Sequence, residues 1–269
     1  MRALLIIWYR DLLRFLRNRL RIVSSLLQPL FWLLLFGTGI SGSLRFSGGQ
    51  GTLGNFNYTE FLFPGVLGMT VLFTSLFSAI SVVRDREFGF LKAILVAPVS
   101  RVYLGLGKIL GGATVSTIQG FLILVLLPLV GVKLRLNFII LFPLVFLVAV
   151  MISALGLLIS AQIKTTEGFQ MIMQFITFPM FMLSGALFPL TNLPLWMDIL
   201  SKINPATYGI DLLRQTTFRL LGLPDAVRQA FAITLFGKPV SIMTDILIIF
   251  VFGTIVTIIA AKIFARQEK

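Results

Sequence analysis

Long apolar segments separated by short polar ones dominate this chain. A helix needs about 20 mostly apolar residues to cross a bilayer, and segments near or above that length recur six times. They lie at about 22–40, 61–83, 103–131, 138–163, 169–188 and 242–264. The pattern predicts an all-α integral membrane protein with six transmembrane helices, in one domain over residues 1–269.

Residues 1–21 have a different pattern, in which apolar and basic positions both recur at helical spacing. The apolar positions are Leu4, Leu5, Trp8, Leu12, Phe15 and Leu16, and the basic ones are Arg10, Arg14, Arg17 and Arg21. A helix with one apolar and one basic face lies flat among lipid head groups. We expect an amphipathic interfacial helix here, either as a membrane anchor or as part of a gate.

A polar run, Arg84-Asp85-Arg86-Glu87, follows the second apolar segment, and apolar residues at intervals of three and four come after it. Pro98 ends this periodicity, because the residue before a proline is driven out of the helical conformation. The spacing predicts a short amphipathic helix over 84–98. It is either an ordinary connector or a rigid element through which a soluble partner moves the spans.

A second irregular region covers residues 187–216. Pro189 and Pro194 interrupt its apolar pattern, so a straight span cannot continue through it. Asn204-Pro205 has the form of an N-cap followed by a first-turn proline, and Asp198 and Lys202 have the spacing of an ion pair on one helix. We expect an extracellular re-entrant helical hairpin that acts either as a lid or as a structural cap.

Composition excludes a soluble domain, since 57% of the residues are hydrophobic, 12% are charged and the mean hydropathy is +0.99. The chain has no histidine and no cysteine, which removes the commonest general base and metal ligands. It also has no G-x-x-x-x-G-K-[ST] phosphate loop. We therefore expect no catalytic residue, metal or cofactor on this chain, and energy for uphill transport has to come from another polypeptide.

The net charge of +13 is explained by topology and by attraction to membrane lipids rather than by a nucleic-acid partner. Short loops rich in Lys and Arg stay in the cytoplasm. With the N-terminus inside, 15 of the 23 basic residues fall on the cytoplasmic side. We therefore expect a multi-pass protein with both termini in the cytoplasm.

Two long motifs resemble the permeases of ABC-2-type transporters. The first includes Val83-Arg84-Asp85-Arg86-Glu87-Phe88-Gly89-Phe90-Leu91 and continues to Arg101, and the second runs from Leu183 through Asn204-Pro205-Ala206-Thr207-Tyr208-Gly209-Ile210-Asp211 to Arg214. The sequences of these motifs are most similar to those of drug and lipo-oligosaccharide exporters of the daunorubicin-resistance and nodulation-factor type. The resemblance covers essentially the whole chain and implies a place in the plasma (inner) membrane.

By this resemblance, residues 84–98 form the coupling helix that docks on a separate ATP-binding subunit. Two permeases, identical or related, would join two such subunits, which bind ATP and Mg. The expected docking residues are Arg84, Arg86, Glu87, Phe88, Phe90, Leu91 and Pro98.

A substrate pathway is expected along the Phe-rich faces of the second and fifth spans. Its candidates are Glu60, Phe73, Phe77, Met173, Phe178, Phe181 and Met182. Each has a plainer interpretation, because aromatic stripes usually pack helices and a carboxylate at the start of a span favours the helix dipole.

Three functions remain open. The first is ATP-driven export of a hydrophobic or amphipathic compound, such as a drug or a lipid-linked molecule. The second is export of a polysaccharide or glycolipid of the O-antigen or teichoic-acid type. The third is a passive channel or a membrane enzyme, although the missing histidine and cysteine argue against catalysis.

Overall fold

The computed structural model describes residues 2–46, 58–89, 100–125, 128, 136–190, 193–235 and 238–267. The helices there are α1 (Arg2–Arg17), α2 (Arg19–Phe46), α3 (Tyr58–Ser78), α4 (Ile80–Glu87), α5 (Arg101–Val125), α6 (Leu141–Ala161), α7 (Thr166–Met182), α8 (Leu195–Ile203), α9 (Pro205–Leu221), α10 (Asp225–Phe231) and α11 (Ile242–Gln267). A 3-10 turn, Leu136–Ile140, precedes α6, and β1 (Thr234–Leu235) pairs antiparallel with β2 (Lys238–Pro239).

Four stretches of the described chain are long and apolar enough to cross a membrane. They are Glu60–Glu87, in which α3 and α4 join, and Arg101–Val125, Asn137–Ala161 and Ile242–Arg266. The pair α1 and α2, bent by 71°, makes a fifth if it counts as one span. The fifth predicted segment, 169–188, contains α7, whose 17 residues end at Met182. The helical membrane fold is thus confirmed with four or five spans, compared with the six that we predicted.

The core of the bundle forms around α3 and α6. Residues 61–72 of α3 are buried without interruption, and α6 has no charged side chain and packs against α3, α5 and α11. A helix that is apolar on every side is buried by its neighbours or by lipid. Leu67, Leu72 and Ile152 are fully buried at this contact, which makes α3 and α6 the framework for the remaining helices.

The bundle has two chemically different ends. At the first, which we call the basic end, α5 begins and α4 and α11 finish, because Gly105 lies against Ala261 and Phe264. Asp245 stands 16 residues before Ala261 on α11, or about 24 Å along a helix. The other end, which we call the hairpin end, therefore contains Asp245 and the helix α9 that packs beside it.

The hairpin end confirms the local predictions made for residues 187–216. Asn204 caps α9 by accepting a hydrogen bond from the backbone N–H of Ala206 at 3.1 Å, and Pro205 opens the helix. Asp198 and Lys202 of α8 form the expected ion pair at 2.6 Å. Gly185 allows the turn after α7 because its φ is +75°. Two short helices thus occupy this region, and the re-entrant path stays a prediction.

Candidate functional site

The predicted docking segment begins inside a helix that continues from a span. Arg84 and Glu87 lie in the last turns of α4, and the αL conformation of Gly89 (φ +73°) ends the helical run. Arg84 is exposed, and Phe88 is 66% exposed. The other predicted docking residues, Phe90, Leu91 and Pro98, lie outside the described residues, as does most of the helix predicted over 84–98.

The charges of Arg86 and Glu87 bind the turn that joins α6 to α7. Arg86 Nη1 donates hydrogen bonds to the backbone carbonyls of Ala161 at 2.9 Å and Ile163 at 2.8 Å. A cation suits this position, since the last carbonyls of a helix have no partners within it. Glu87 accepts hydrogen bonds from the backbone N–H and the hydroxyl of Thr166 at the start of α7. Hydrogen bonds therefore join the end of α4 directly to the end of α6 and the start of α7.

A group of charges centred on the buried Asp85 and Lys108, which we call the ion cluster, joins α4 to α1 and α5. It contains Arg10, Asp11, Asp85 and Lys108. Asp85 is 3% exposed, and its Oδ2 lies 2.7 Å from Arg10 Nη2 and 3.0 Å from Lys108 Nζ. Lys108 Nζ also lies 3.3 Å from Asp11 Oδ2. Opposite charges with hydrogen bonds offset the cost of removing each one from water.

Glycines on α5 allow α1 to pack closely against α5. A Cβ on Gly107 would stand 2.9 Å from the carbonyl oxygen of Leu4, and one on Gly111 would stand 3.2 Å from Cβ of Asp11. Small residues allow this close approach of helices. Trp8 Nε1 donates to the hydroxyl of Thr114 at 2.9 Å, further along the same face. Thus α1 runs along α5 and is fastened to it by side chains, and its place in a head-group layer stays a prediction.

Among the predicted pathway residues, Phe73 and Phe77 of α3 meet aromatic rings of α7. The Phe73 ring lies 5.8 Å from that of Phe181, and the Phe77 ring lies 6.4 Å from that of Phe169, both edge to face. Edge-to-face pairs are the favoured geometry of aromatic contacts. The structure therefore brings Phe73, Phe77 and Phe181 together through ring contacts, and their place in a substrate pathway stays a prediction.

A cavity of about 310 Å³ opens beside Phe73 and Phe77. Its lining comes from α2, α3 and α5 and consists of Ser25, Gln28, Pro29, Met69, Thr70, Phe73, Thr74, Phe77 and Gln119. Thr74 donates to Oε1 of Gln119, whose Nε2 donates to Ser25 Oγ at 2.6 Å. The cavity thus has an aromatic wall and an uncharged polar wall, which suits an amphipathic ligand.

The remaining pathway candidates lie apart from this cavity. Met173 is fully buried, Phe178 is 58% exposed, and Met182 packs at the edge of the core. Glu60 is half-buried at the start of α3. The structure therefore supports Phe73 and Phe77 as wall residues and gives Met173 a place in helix contacts.

Sequence reasoning missed the polar wall and the ion cluster. Gln119 had a signal, because a polar side chain near the middle of an apolar span needs a partner. Lys108 had a signal as well, because it lies seven residues into α5 and within the apolar segment predicted over 103–131. No sequence signal marked Asp85, since a charged residue inside a charged run is normally expected to be exposed.

Known proteins resemble the chain over most of its length. Residues 2–218 match the family described as ABC-2 type transporter. The chain is 34% identical over 202 residues to the putative transport permease ycf38 of Cyanophora paradoxa, covering 74% of this chain and 68% of that protein.

Two bacterial relatives extend the comparison. Over 168 residues the chain is 29% identical to the probable multidrug ABC transporter permease YbhR of Escherichia coli (strain K12), covering 60% of this chain and 44% of that protein. Over 225 residues it is 24% identical to nodulation protein J of Rhizobium leguminosarum bv. viciae, covering 82% and 83%.

Proposed function

The chain belongs to the ABC-2 type transporter family and is a multi-pass transport permease of the inner membrane, and on that premise we propose that it is the membrane subunit of an ATP-driven exporter. Its substrate is a hydrophobic or amphipathic compound that leaves the cytoplasm. ATP is hydrolysed on a separate subunit that docks on residues 84–98.

The observation that carries this proposal is the set of contacts around the end of α4. Arg86 and Glu87 bind the α6–α7 turn, and Asp85 binds α1 and α5. Arg84 and Phe88 stay exposed beside these contacts. A push transmits through a rigid element that is joined to its neighbours, which a flexible loop cannot do. A partner that moves the segment after α4 would therefore move five helices together.

The orientation of the bundle follows from the basic end. Arg84, Arg101, Lys108 and Lys164 lie there, near the finish of α11, which contains Lys262 and Arg266. Clusters of this kind stay on the cytoplasmic side. We place the basic end and both termini in the cytoplasm, with the docking segment accessible to a soluble ATP-binding subunit. Residues 187–216 then form the extracellular re-entrant hairpin.

The substrate class follows from the cavity between α2, α3 and α5. Phe73 and Phe77 offer apolar surface, and Ser25, Thr74 and Gln119 offer hydrogen bonds without charge. We place the inner part of the pathway here, with Phe178 and Met182 further along α7. The pathway is completed by a second permease, identical or related, and two ATP-binding subunits complete the transporter.

The second candidate is export of a polysaccharide or glycolipid. The uncharged amide and hydroxyl groups of the polar wall favour it, because they match the hydrogen bonds of sugar hydroxyls. Multidrug and nodulation names occur among the relatives, so the family by itself selects neither substrate.

The test is reconstitution of the permease with its ATP-binding subunit in liposomes. We expect amphipathic compounds to raise ATP hydrolysis and to be moved across the bilayer. Phe90→Ala and Leu91→Asp should abolish transport while membrane insertion stays normal, and Trp196→Ala, an exposed aromatic at the hairpin end, should leave transport unchanged. Stimulation by glycolipids alone would select the second candidate. Substrate flux without any ATP-binding subunit would show a passive channel and contradict the proposal.

The cavity has its own test in the same liposomes. We expect Phe77→Ala to raise the substrate concentration for half-maximal ATP hydrolysis by about three- to tenfold, since one aromatic contact contributes roughly 0.5 to 1.5 kcal/mol. Phe175→Ala is the control, because that ring is 83% exposed on α7. Equal effects of the two changes would contradict the assignment of the cavity.

A further inference from the structure

Two buried carboxyl groups meet at the hairpin end, where α9 packs against the start of α11. We call Asp211 of α9 and Asp245 of α11 the carboxyl pair. Asp211 is 2% exposed and Asp245 is fully buried. Both carboxyl groups accept a hydrogen bond from the same nitrogen atom, Nε2 of Gln215. Carboxylates held this close together repel each other strongly when both are ionised, and the effect grows with burial.

Gln215 bridges the pair through its amide nitrogen. Its Nε2 lies 2.6 Å from Asp211 Oδ2, 3.2 Å from Asp245 Oδ2 and 3.0 Å from the carbonyl oxygen of Val240. A carbonyl oxygen only accepts hydrogen bonds, so the amide atom that faces Val240 has to be the nitrogen. The contact with Val240 thus fixes the orientation of the amide.

Hydrogen-bond donors are too few for these acceptors. The pair and Val240 present five oxygens, whereas the described donors are the two hydrogens of Gln215 Nε2 and the backbone N–H of Ile233, 3.4 Å from Asp211 Oδ2. The Oδ1 atoms of Asp211 and Asp245 are both buried and have no hydrogen-bond partner among the described residues. A buried acceptor without a donor is costly, so the site requires a further donor.

The balance of charges around the pair also requires a proton. Arg214 lies one turn from Asp211 on α9, donates to the carbonyl oxygen of Gly185 at 2.5 Å, and stands 4.2 Å from the centre of the Phe61 ring. Its positive charge also acts on Asp211. One arginine balances one carboxylate, and the second carboxylate leaves an uncompensated buried charge.

We propose that the Asp211–Asp245 pair is a proton-binding site, in which one shared proton joins the two carboxyl groups and locks α9 to α11. The proton supplies the missing donor and makes the sum of charges with Arg214 zero. Gln215 argues against a metal ion in the same place, because its N–H groups point at both carboxyls and would repel a cation. The described residues contain no group of three or more metal-type ligands.

Most other charged groups near the pair have partners of their own, so the pH dependence of this site comes mainly from the proton on the pair. At the hairpin end, the charged or titratable groups on the elements packed against the pair are Glu60, Asp198, Lys202, Tyr208, Arg214, Arg219, Asp225, Arg228 and Lys238. Lys262 and Arg266 of α11 lie at the basic end. Asp225 and Arg228 pair with each other, as do Asp198 and Lys202. The Tyr208 hydroxyl donates to the carbonyl oxygen of Lys202 at 2.7 Å.

Burial raises the pKa of Asp211 above its ordinary value, and the charge of Arg214 opposes this shift only in part. The folded protein then holds the proton more tightly than the unfolded chain. The stability from this proton is complete below the ordinary pKa of an aspartate and is lost as pH rises through the raised one. The lock between α9 and α11 should therefore weaken in alkaline solution.

Infrared spectroscopy of the full chain in lipid nanodiscs tests the proposal directly. We expect the wild type to show the absorption of about one protonated carboxyl per chain at neutral pH. Asp245→Asn should remove this absorption, since the amide donates to Asp211 in place of the proton. Asp198→Asn is the control, because that acid is paired with Lys202, and it should leave the absorption unchanged. A wild type without a protonated carboxyl at neutral pH would overturn the proposal.

Thermal unfolding distinguishes a proton from a metal ion and needs only the wild type. We expect the Tm to fall by several degrees as the pH rises from about 4, the ordinary pKa of an aspartate, to about 9, with no change on adding Na⁺, Mg²⁺ or Ca²⁺ at constant pH. The Tm of Asp245→Asn should fall by less over the same range. A Tm that rises with one of these ions at constant pH would show a cation site and refute the shared proton.

Discussion

The ion cluster and the carboxyl pair bury acids at opposite ends of the same bundle, and their partners differ. At the basic end, Asp85 is within 3.0 Å of two cations, Arg10 and Lys108. At the hairpin end, Asp211 meets a second acid, Asp245, across a glutamine amide. The first site is held by opposite charges from three helices, and the second needs a proton. The same change of acid to amide should therefore destabilise the protein strongly at the basic end and only slightly at the hairpin end.

The largest effect should come from Asp85→Asn. The amide leaves the buried Lys108 and the half-buried Arg10 without a counter-charge from Asp85, which costs about 3 to 5 kcal/mol. Thermal unfolding of the purified protein measures this loss. Lys108→Met in the same chain should restore part of the stability, because it removes one of the unpaired cations. A loss below about 1 kcal/mol for Asp85→Asn would remove the distinction between the two ends.

Arg86→Met should cause the next largest loss of stability, and the loss should be confined to the turn between α6 and α7. The change removes charged hydrogen bonds to the carbonyls of Ala161 and Ile163, which are worth about 1.5 to 3 kcal/mol in total. We expect faster hydrogen exchange over residues 160–168, measured by mass spectrometry, with no change at α9. Exchange that accelerates equally at both ends would show that Arg86 does not act on the α6–α7 turn.

Gly107→Ala tests whether the ion cluster depends on the seat of α1. The new Cβ would lie 2.9 Å from a backbone oxygen of α1, so α1 has to shift, at a cost of about 1 to 3 kcal/mol. Gly105→Ala is the matched control on the same helix, since its Cβ would meet side chains at 3.4 Å. Equal unfolding temperatures for the two variants would contradict this dependence of the ion cluster on α1.

Asp245→Asn should have the smallest effect, within about 1 kcal/mol near neutral pH. The amide supplies the donor that the shared proton supplies in the wild type, and the remaining charge is balanced by Arg214. Thermal unfolding in the same buffer as for Asp85→Asn gives the direct comparison. A loss as large as that of Asp85→Asn would show that both carboxyls of the pair are ionised.

Hydropathy and capping patterns predicted much of this fold. The apolar segments became helices, and Asn204-Pro205 opened α9 as expected, because both signals are local. The end of α4 was harder to predict. Arg84–Glu87 continue the helix from the span because Asp85 finds partners on α1 and α5, which are distant in sequence. A run of charges does not reveal such partners.

Some residues of the candidate site could likewise be predicted from the sequence, and others could not. Phe73 and Phe77 lie one helical turn apart on α3, so their shared face could be predicted, and they line the cavity together. Ser25 and Gln119 complete its polar wall from two other helices, 94 residues apart in sequence. Asp245 stands in the first turn of α11, and its position beside Asp211 depends on how α9 packs, which no local pattern encodes.

The most direct test of the account is a photo-crosslinker at Phe88, the exposed ring at the end of α4. We predict that in native membranes it captures a polypeptide that also labels with azido-ATP. The same crosslinker at Trp196, an equally exposed ring at the hairpin end, should capture none. An ATP-labelled product from Trp196, or none from Phe88, would contradict the claim that a separate ATP-binding subunit drives this permease through the segment after α4.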